Sequence, residues 1–219
     1  VINYMVAAIR MADTGVLLQR SNAVESLSHV DTVCMDKTGT ITTNNLVFEN
    51  IDYLGNNPAE TDEIIRRFVS VTGSRNRTIL AMESKFGTVE TELVDEIQFS
   101  SDRKFSAVRF KTSEGYRTVF MGAWPFLNKY VKDDIDVSSI LSDLSSKGLR
   151  SVVLFDGGSA EIHVNEEISV PPLKVLAVIS IMDEVRPDCK EIITQFINNG
   201  LDIKVISGDD PETVDAIFS

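Results

Sequence analysis

The stretch Val30-Asp31-Thr32-Val33-Cys34-Met35-Asp36-Lys37-Thr38-Gly39-Thr40 decides how this chain is read. Val33, Cys34 and Met35 predict the end of a buried strand. Gly39 and its flanking threonines predict the loop that leaves it. Asp36 then stands at the carboxyl end of a strand, where open α/β sheets place their ligands. A carboxylate there can attack phosphorus and form an acyl phosphate. Lys37 supplies positive charge, Thr38 and Thr40 supply hydroxyls, and Gly39 lets the backbone approach a phosphate. For Asp-Lys-Thr-Gly alone, a solvated surface turn is the competing reading.

Read on to Thr42, the string is D-K-T-G-T-I-T, which resembles the phosphorylation motif of the P-type ATPases. In that family the residue matching Asp36 takes the γ-phosphoryl group from ATP. Upstream, Ala23-Val24-Glu25-Ser26-Leu27 resembles the segment that leads into the nucleophile strand.

The 219 residues suffice for one large domain or two small ones. A net charge of −12 with no cluster of Lys or Arg argues against nucleic acid as a partner. A polyanion such as ATP must then be met by local cations and a metal ion. Cys34 and Cys189 form no disulfide framework or metal-ligand spacing, which fits a reducing compartment. No run approaches the ~20 apolar residues of a membrane span. His29 and His163 lack companions at ligand spacing.

Residues 1–12 predict a short helix with Ile2, Met5, Val6 and Ile9 on one side. The resemblance makes it the end of a membrane helix. Val16-Leu17-Leu18 predicts a short strand. Asn22 and Glu25 have capping-box spacing. Strands are expected at Val47–Leu54, Leu93–Phe99, Phe105–Lys111, Tyr116–Met121, Ser151–Phe155 and Leu173–Met182. Residues 160–164 could return beside Ser151–Phe155. Helices are expected after Thr61 or Asp62, from about Thr78, and over Val137–Lys147, the last stopped by Gly148. From Asp183 an α/β pattern resumes: a helix capped by Asp188 and Glu191, a buried strand Ile203–Ile206, and a final helix opened by Asp210 and Pro211.

Further motifs carry the resemblance along almost the whole chain. Asp183-Glu184-Val185-Arg186 resembles the family's D-P-P-R hinge, with Glu184-Val185 replacing two prolines. Asp183 and Arg186 would sit near the nucleotide, on a hinge less stiff than one with prolines. Ser207-Gly208-Asp209 resembles T-G-D, with a hydroxyl retained for phosphate. Phe99-Ser100-Ser101-Asp102-Arg103-Lys104 resembles the adenine-binding segment, Phe99 stacking on the base and Lys104 meeting phosphate or ring nitrogen. A core phenylalanine is the competing reading of Phe99. Met121-Gly122-Ala123 stands where the family has K-G-A; Gly122 would let adenine approach the backbone, with weaker affinity for want of the lysine or a pocket leaning on stacking. Arg150 matches an arginine that bridges towards the phosphates. Glu83 is a loose match to an acidic adenine-holding residue.

The resemblance implies an α/β fold: a haloacid dehalogenase-like Rossmannoid core, incomplete, carrying an inserted α+β nucleotide-binding domain on an antiparallel sheet. Residues 13–45 and 183–219 would form the phosphorylation domain and 46–182 the insert, with 1–12 left from a membrane-proximal helix. ATP and Mg²⁺ are the implied cofactors, the metal resting on Asp36 and Thr38. The start at Val1 and the stop at Ser219, ahead of the family's G-D-G-x-N-D segment, lead us to expect a fragment that binds nucleotide weakly without turnover. The intact protein would transport a cation, with this part on the cytoplasmic side of a membrane. A soluble haloacid dehalogenase-type phosphatase with an inserted cap is the enzyme alternative. Such enzymes usually carry an aspartate two residues after the nucleophile, where Thr38 stands here. A non-catalytic nucleotide-binding module is the third reading.

Overall fold

Two long strands, β2 (Thr42–Tyr53) and β9 (Lys174–Val185), frame the larger of two units into which the chain divides. The structure is a computed structural model and describes residues 2–20, 22–55, 57–132, 135–164 and 167–206. One unit takes the residues up to Ile41 and those from Arg186; the other spans Thr42–Val185.

In the larger unit, β2 and β9 pair antiparallel from Thr42↔Val185 to Tyr53↔Ala177. β3 (Leu93–Ile97), β4 (Phe105–Thr112), β5 (Gly115–Gly122) and β6 (Arg150–Asp156) complete a sheet of order β2-β9-β6-β5-β4-β3, every pair antiparallel. Period-two alternation sorts its side chains to two faces. Val108, Phe110, Val119, Met121 and Leu154 join a core with α3 (Pro58–Val71) and α4 (Arg77–Phe86). Ala107, Phe120, Val153 and Phe155 join a second core with α5 (Trp124–Leu127) and α6 (Ser138–Ser146). With both faces covered, β9 can be buried without interruption over residues 175–181, where Ser180 is the one polar side chain and donates to the Asn50 carbonyl at 3.2 Å. Ile65, Phe68, Val69 and Met82 are fully buried. Each such side chain contributes about 1.5–3 kcal/mol relative to exposure.

The start of α3 differs from expectation, while α4 begins within a residue of where it was expected. α3 begins at Pro58, with the Asn57 side chain accepting from the Glu60 amide at 3.3 Å. Asn57-Pro58 reads as a turn, but it is an N-cap with proline at the first helical position. Asn76 caps α4 in the same way, accepting from the Ile79 amide at 3.0 Å. α5 has no counterpart in the sequence reading; Trp124 stacks on Phe155 with centroids 6.2 Å apart. The return strand expected at 160–164 does not pair with β6: β7 (His163–Val164) pairs with β8 (Glu167–Ile168).

The smaller unit holds α1 (Ile2–Asp13), α2 (Ala23–Leu27), β1 (Thr32–Asp36), α7 (Cys189–Asn198) and β10 (Asp202–Ile206). No strand forms over 16–18. Neither Asn22 nor Asp188 makes a side-chain cap hydrogen bond, so the expected capping boxes are not formed. β1 and β10 pair in parallel, Thr32↔Asp202 through Asp36↔Ile206. Among the described residues this sheet has two strands, and neither is buried as expected: Cys34 is exposed and Ile206 is 63% exposed. Asp210 and Pro211 lie outside the described residues. β9 runs on to Val185, so Asp183 is a strand residue and not the start of a loop.

Candidate functional site

Parallel pairing with Asp36 opposite Ile206 brings the carboxyl ends of β1 and β10 to one edge. Asp36 is exposed there, and its Oδ1 accepts from the Thr38 amide at 3.2 Å. That contact closes a tight turn and aims the carboxylate out of the strand. Gly39 completes the turn at φ +81, where its missing side chain has nothing within 4 Å; the constraint is conformational rather than steric. Lys37 is 2% exposed, so it is held inside the fold and not solvated as a surface turn would leave it. Thr38 and Thr40 are exposed. Ser207 and Asp209, expected beside Asp36, lie outside the described residues.

Arg186 lies with this loop, in the smaller unit, and not in the cavity that holds Phe99. Its Nε donates to the Thr40 carbonyl at 2.9 Å and its Nη2 to the Gly39 carbonyl at 3.2 Å. Its own amide donates to the Ile41 carbonyl at 3.0 Å. The planar guanidinium thus bridges two successive carbonyls of the turn.

The larger unit contains a cavity of about 380 Å³, within the range of small-molecule sites. Leu46, Phe99, Met121 and Val152 supply its apolar walls; Arg77, Lys104, Arg150 and Asp183 supply its charges. Phe99 is 44% exposed and belongs to neither core, which excludes the core-phenylalanine reading. Lys104 sits at φ +56, held by its amide on the Ser100 carbonyl at 2.8 Å and by its carbonyl on the Ala123 amide at 3.0 Å. Gly122 lines the cavity, but its constraint comes from the opposite strand. A Cβ there would meet the Phe105 Cβ at 2.4 Å and the Lys104 carbonyl at 2.6 Å. Arg150 donates through Nε and Nη2 to Asp183 Oδ2, at 3.2 and 3.0 Å.

Glu83 does not line the cavity; it pairs with Arg75. Asn76, Arg77 and Thr78, from the start of α4, line it without having been singled out. Their only sequence signal is the Asn76 cap, which fixes where a helix begins and not what it faces. Among the described residues no three His, Cys, Asp or Glu side chains gather as a metal site. The exposed Asp36 carboxylate, beside the exposed Thr38, is nevertheless a hard oxygen donor of the type that magnesium takes together with phosphate and water.

Comparison with known proteins bears on the whole chain. Residues 30–219 match the model of the haloacid dehalogenase-like hydrolase family. The chain is 31% identical over 217 residues to the probable cation-transporting ATPase exp7 of Streptococcus pneumoniae, covering 97% of this chain and 26% of that protein. It is 28% identical over 221 residues to the calcium-transporting ATPase CtpE of Mycobacterium bovis, covering 99% of this chain and 26% of that protein. The chain therefore spans about a quarter of the length of the curated relatives it matches. The crystal structure of a zinc-transporting PIB-type ATPase in its E2.Pi state superposes with a TM-score of 0.69 at 20% identity, over 99% of this chain and 32% of that one, and so shares its fold. The chain belongs to the haloacid dehalogenase-like hydrolases, and nearly all of it is similar to about a quarter of the length of the cation-transporting ATPases named above.

Proposed function

We propose that the larger unit binds ATP and that Asp36 accepts its γ-phosphoryl group, as the phosphoryl-handling part of an ATP-driven cation transporter. The observation that carries this reading is the cavity with an exposed aromatic ring at one side and cationic side chains beside it. Phe99 stacks on the base, and Met121 and Val152 supply apolar walls. An Asp36 carboxylate oxygen forms a bond to the γ-phosphorus as the bond from that phosphorus to the ADP oxygen breaks. Arg186 holds the Gly39 and Thr40 carbonyls, so the turn that carries Asp36 keeps its shape through the transfer. Asp36 and Thr38 are the residues that would hold Mg²⁺, which would supply neutralising charge to the phosphoryl oxygens. By the resemblance Ser207 and Asp209 would also serve phosphoryl transfer; both lie outside the described residues. Water later releases phosphate from the aspartyl phosphate. With Thr38 where a phosphatase carries a second aspartate, the acyl phosphate persists long enough to drive a conformational change.

Residues 13–45 with 183–219 serve as the phosphorylation domain and 46–182 as the nucleotide domain. The contact boundaries at Ile41/Thr42 and Val185/Arg186 support this division to within a few residues. Among the described residues no helix is long and apolar enough to cross a membrane. Membrane helices of the longer protein would carry the cation, with this part on the cytoplasmic side. Titration calorimetry with ATP tests the pocket. Phe99→Ala should weaken binding about tenfold, as loss of one base-aromatic stack does, with an unchanged melting temperature. Undiminished affinity in the folded variant would remove the pocket assignment.

A further inference from the structure

The cavity carries three cations and one carboxylate, but these charges are not equivalent. Arg150 directs two donors at a single oxygen of Asp183, whose side chain is 6% exposed against 50% for Arg150. A buried carboxylate needs that cation, so the charge of Arg150 is largely spent within the pocket wall. Arg77 differs. Its guanidinium donates to the Asn44 side-chain carbonyl, a neutral amide that orients the fork without cancelling its charge. Asn44 presents that oxygen from an irregular stretch of β2, at φ +70, between the paired residues Thr42 and Leu46. Arg77 is exposed on the first turn of α4, a ten-residue helix already capped by Asn76.

Register along the sheet places these groups. Leu46 pairs with Asp183 and Arg150 with Ile181, so Arg77 with Asn44, Asp183 and Arg150 occupies the β2–β9–β6 side. Phe99, Lys104 and Gly122 occupy the β4–β5 side, Gly122 opposite Phe105. Met121 lies between them and carries no charge. The cavity therefore has an aromatic side and a guanidinium side. It fits an elongated ligand with a flat ring at one end and a polyanionic tail at the other.

We infer that Arg77 is the residue that recognises the phosphate chain of the nucleotide, taking it through the planar fork while Asn44 holds the guanidinium in place. The inference rests on the nucleotide reading above and adds a specificity to it. Affinity should grow with the number of phosphates, and Arg77 should be responsible. A guanidinium at exposed Arg77 is worth about tenfold in affinity for a charged tail, the lower end for hydrogen bonds to charged groups.

The test is calorimetric titration of wild-type chain and Arg77→Met with ATP, adenosine and inorganic triphosphate. Melting temperature and far-UV dichroism report folding. ATP should bind wild type about tenfold more tightly than adenosine, and that gap should close in Arg77→Met while adenosine affinity holds. Inorganic triphosphate should compete with ATP on wild type and fail to bind the variant. Arg77→Gln repeats the test should the methionine variant not fold. Equal losses for ATP and adenosine would overturn the assignment, because Arg77 would then support the base or the fold. Unchanged ATP affinity would overturn Arg77 alone and leave the pocket standing. A wild-type chain that binds none of the three probes would break the nucleotide reading itself, and Arg77 with it.

Discussion

The two units solve opposite problems. In the larger one, β9 keeps seven successive residues buried, from Val175 to Ile181, because helices cover both faces of a six-stranded sheet. In the smaller one, β1 and β10 leave Cys34 and Ile206 exposed, and Asp36 with them. A binding cavity needs walls that stay where they are, and buried packing provides that. The proposed nucleophile Asp36 has to be reachable by what it would attack, and its exposed place at the end of β1 meets that need. The difference teaches that, on the proposed function, recognition and chemistry would rest on scaffolds of unequal solidity.

The sharpest way to break this comparison is to separate the two functions. Asp36→Asn in a full-length protein carrying this sequence should lower acid-stable, hydroxylamine-labile labelling from γ-labelled ATP to background, while ATP affinity is unchanged. A coupled loss of affinity would mean the two units do not divide the work. Next in size is the packing contrast. Phe68→Ala, at a fully buried position, should cost about 3–5 kcal/mol in urea unfolding. Trp124, the single tryptophan, reports it from the same unit. Val33→Ala, on the half-buried strand β1, should cost less than about 1.5 kcal/mol. Comparable costs would erase the contrast.

The smallest expected effect concerns the place where the chain passes between the units. Glu184 accepts from the Thr43 hydroxyl at 2.6 Å and the Asn45 amide at 3.2 Å. These bonds, Thr43 first, hold its carboxyl below the usual glutamate range. A depressed folded-state pKa gives stability that is present above the unfolded value and fades as pH falls through the folded one. The melting temperature of Glu184→Ala should therefore lie slightly below wild type at pH 7. The gap should close as pH drops below about 4. A gap that widens in acid would show that the clasp works another way. Where the resemblance has two prolines, Glu184 here is tied across the ladder to Thr43 and Asn45.

What the sequence revealed and what it hid follow from the same physics. The place of Asp36 at a strand end was legible because the apolar Val33-Cys34-Met35 leads into it and Gly39 follows, and the antiparallel sheet because Phe105–Lys111 and Tyr116–Met121 stand with only four residues between them in the chain. The start of α3 was hidden because Asn57-Pro58 serves equally as a turn and as a cap. β1 and β10 were expected to be buried because Val33-Cys34-Met35 and Val205-Ile206 are apolar, yet burial depends on neighbours that apolarity alone does not supply. Gly122 was read as leaving room for a ligand; it does line the cavity, and the packing of Phe105 adds a second reason for glycine there that the sequence did not show. Arg77 was invisible for a plainer reason. An arginine in a first helical turn looks the same whether it faces solvent or a cavity, and only strand register decides between them.

The larger unit enters through Thr42 and leaves through Val185, and those two residues are paired across one ladder. Ile41 and Arg186, the residues on either side, are hydrogen-bonded to each other at 3.0 Å. A whole cassette of 144 residues is thus spliced in at a single rung, by two chain ends already side by side. Its host would need only a short hairpin to close over the cut. Such a seam allows one lobe to be exchanged, enlarged or redesigned without rerouting the chain that carries Asp36.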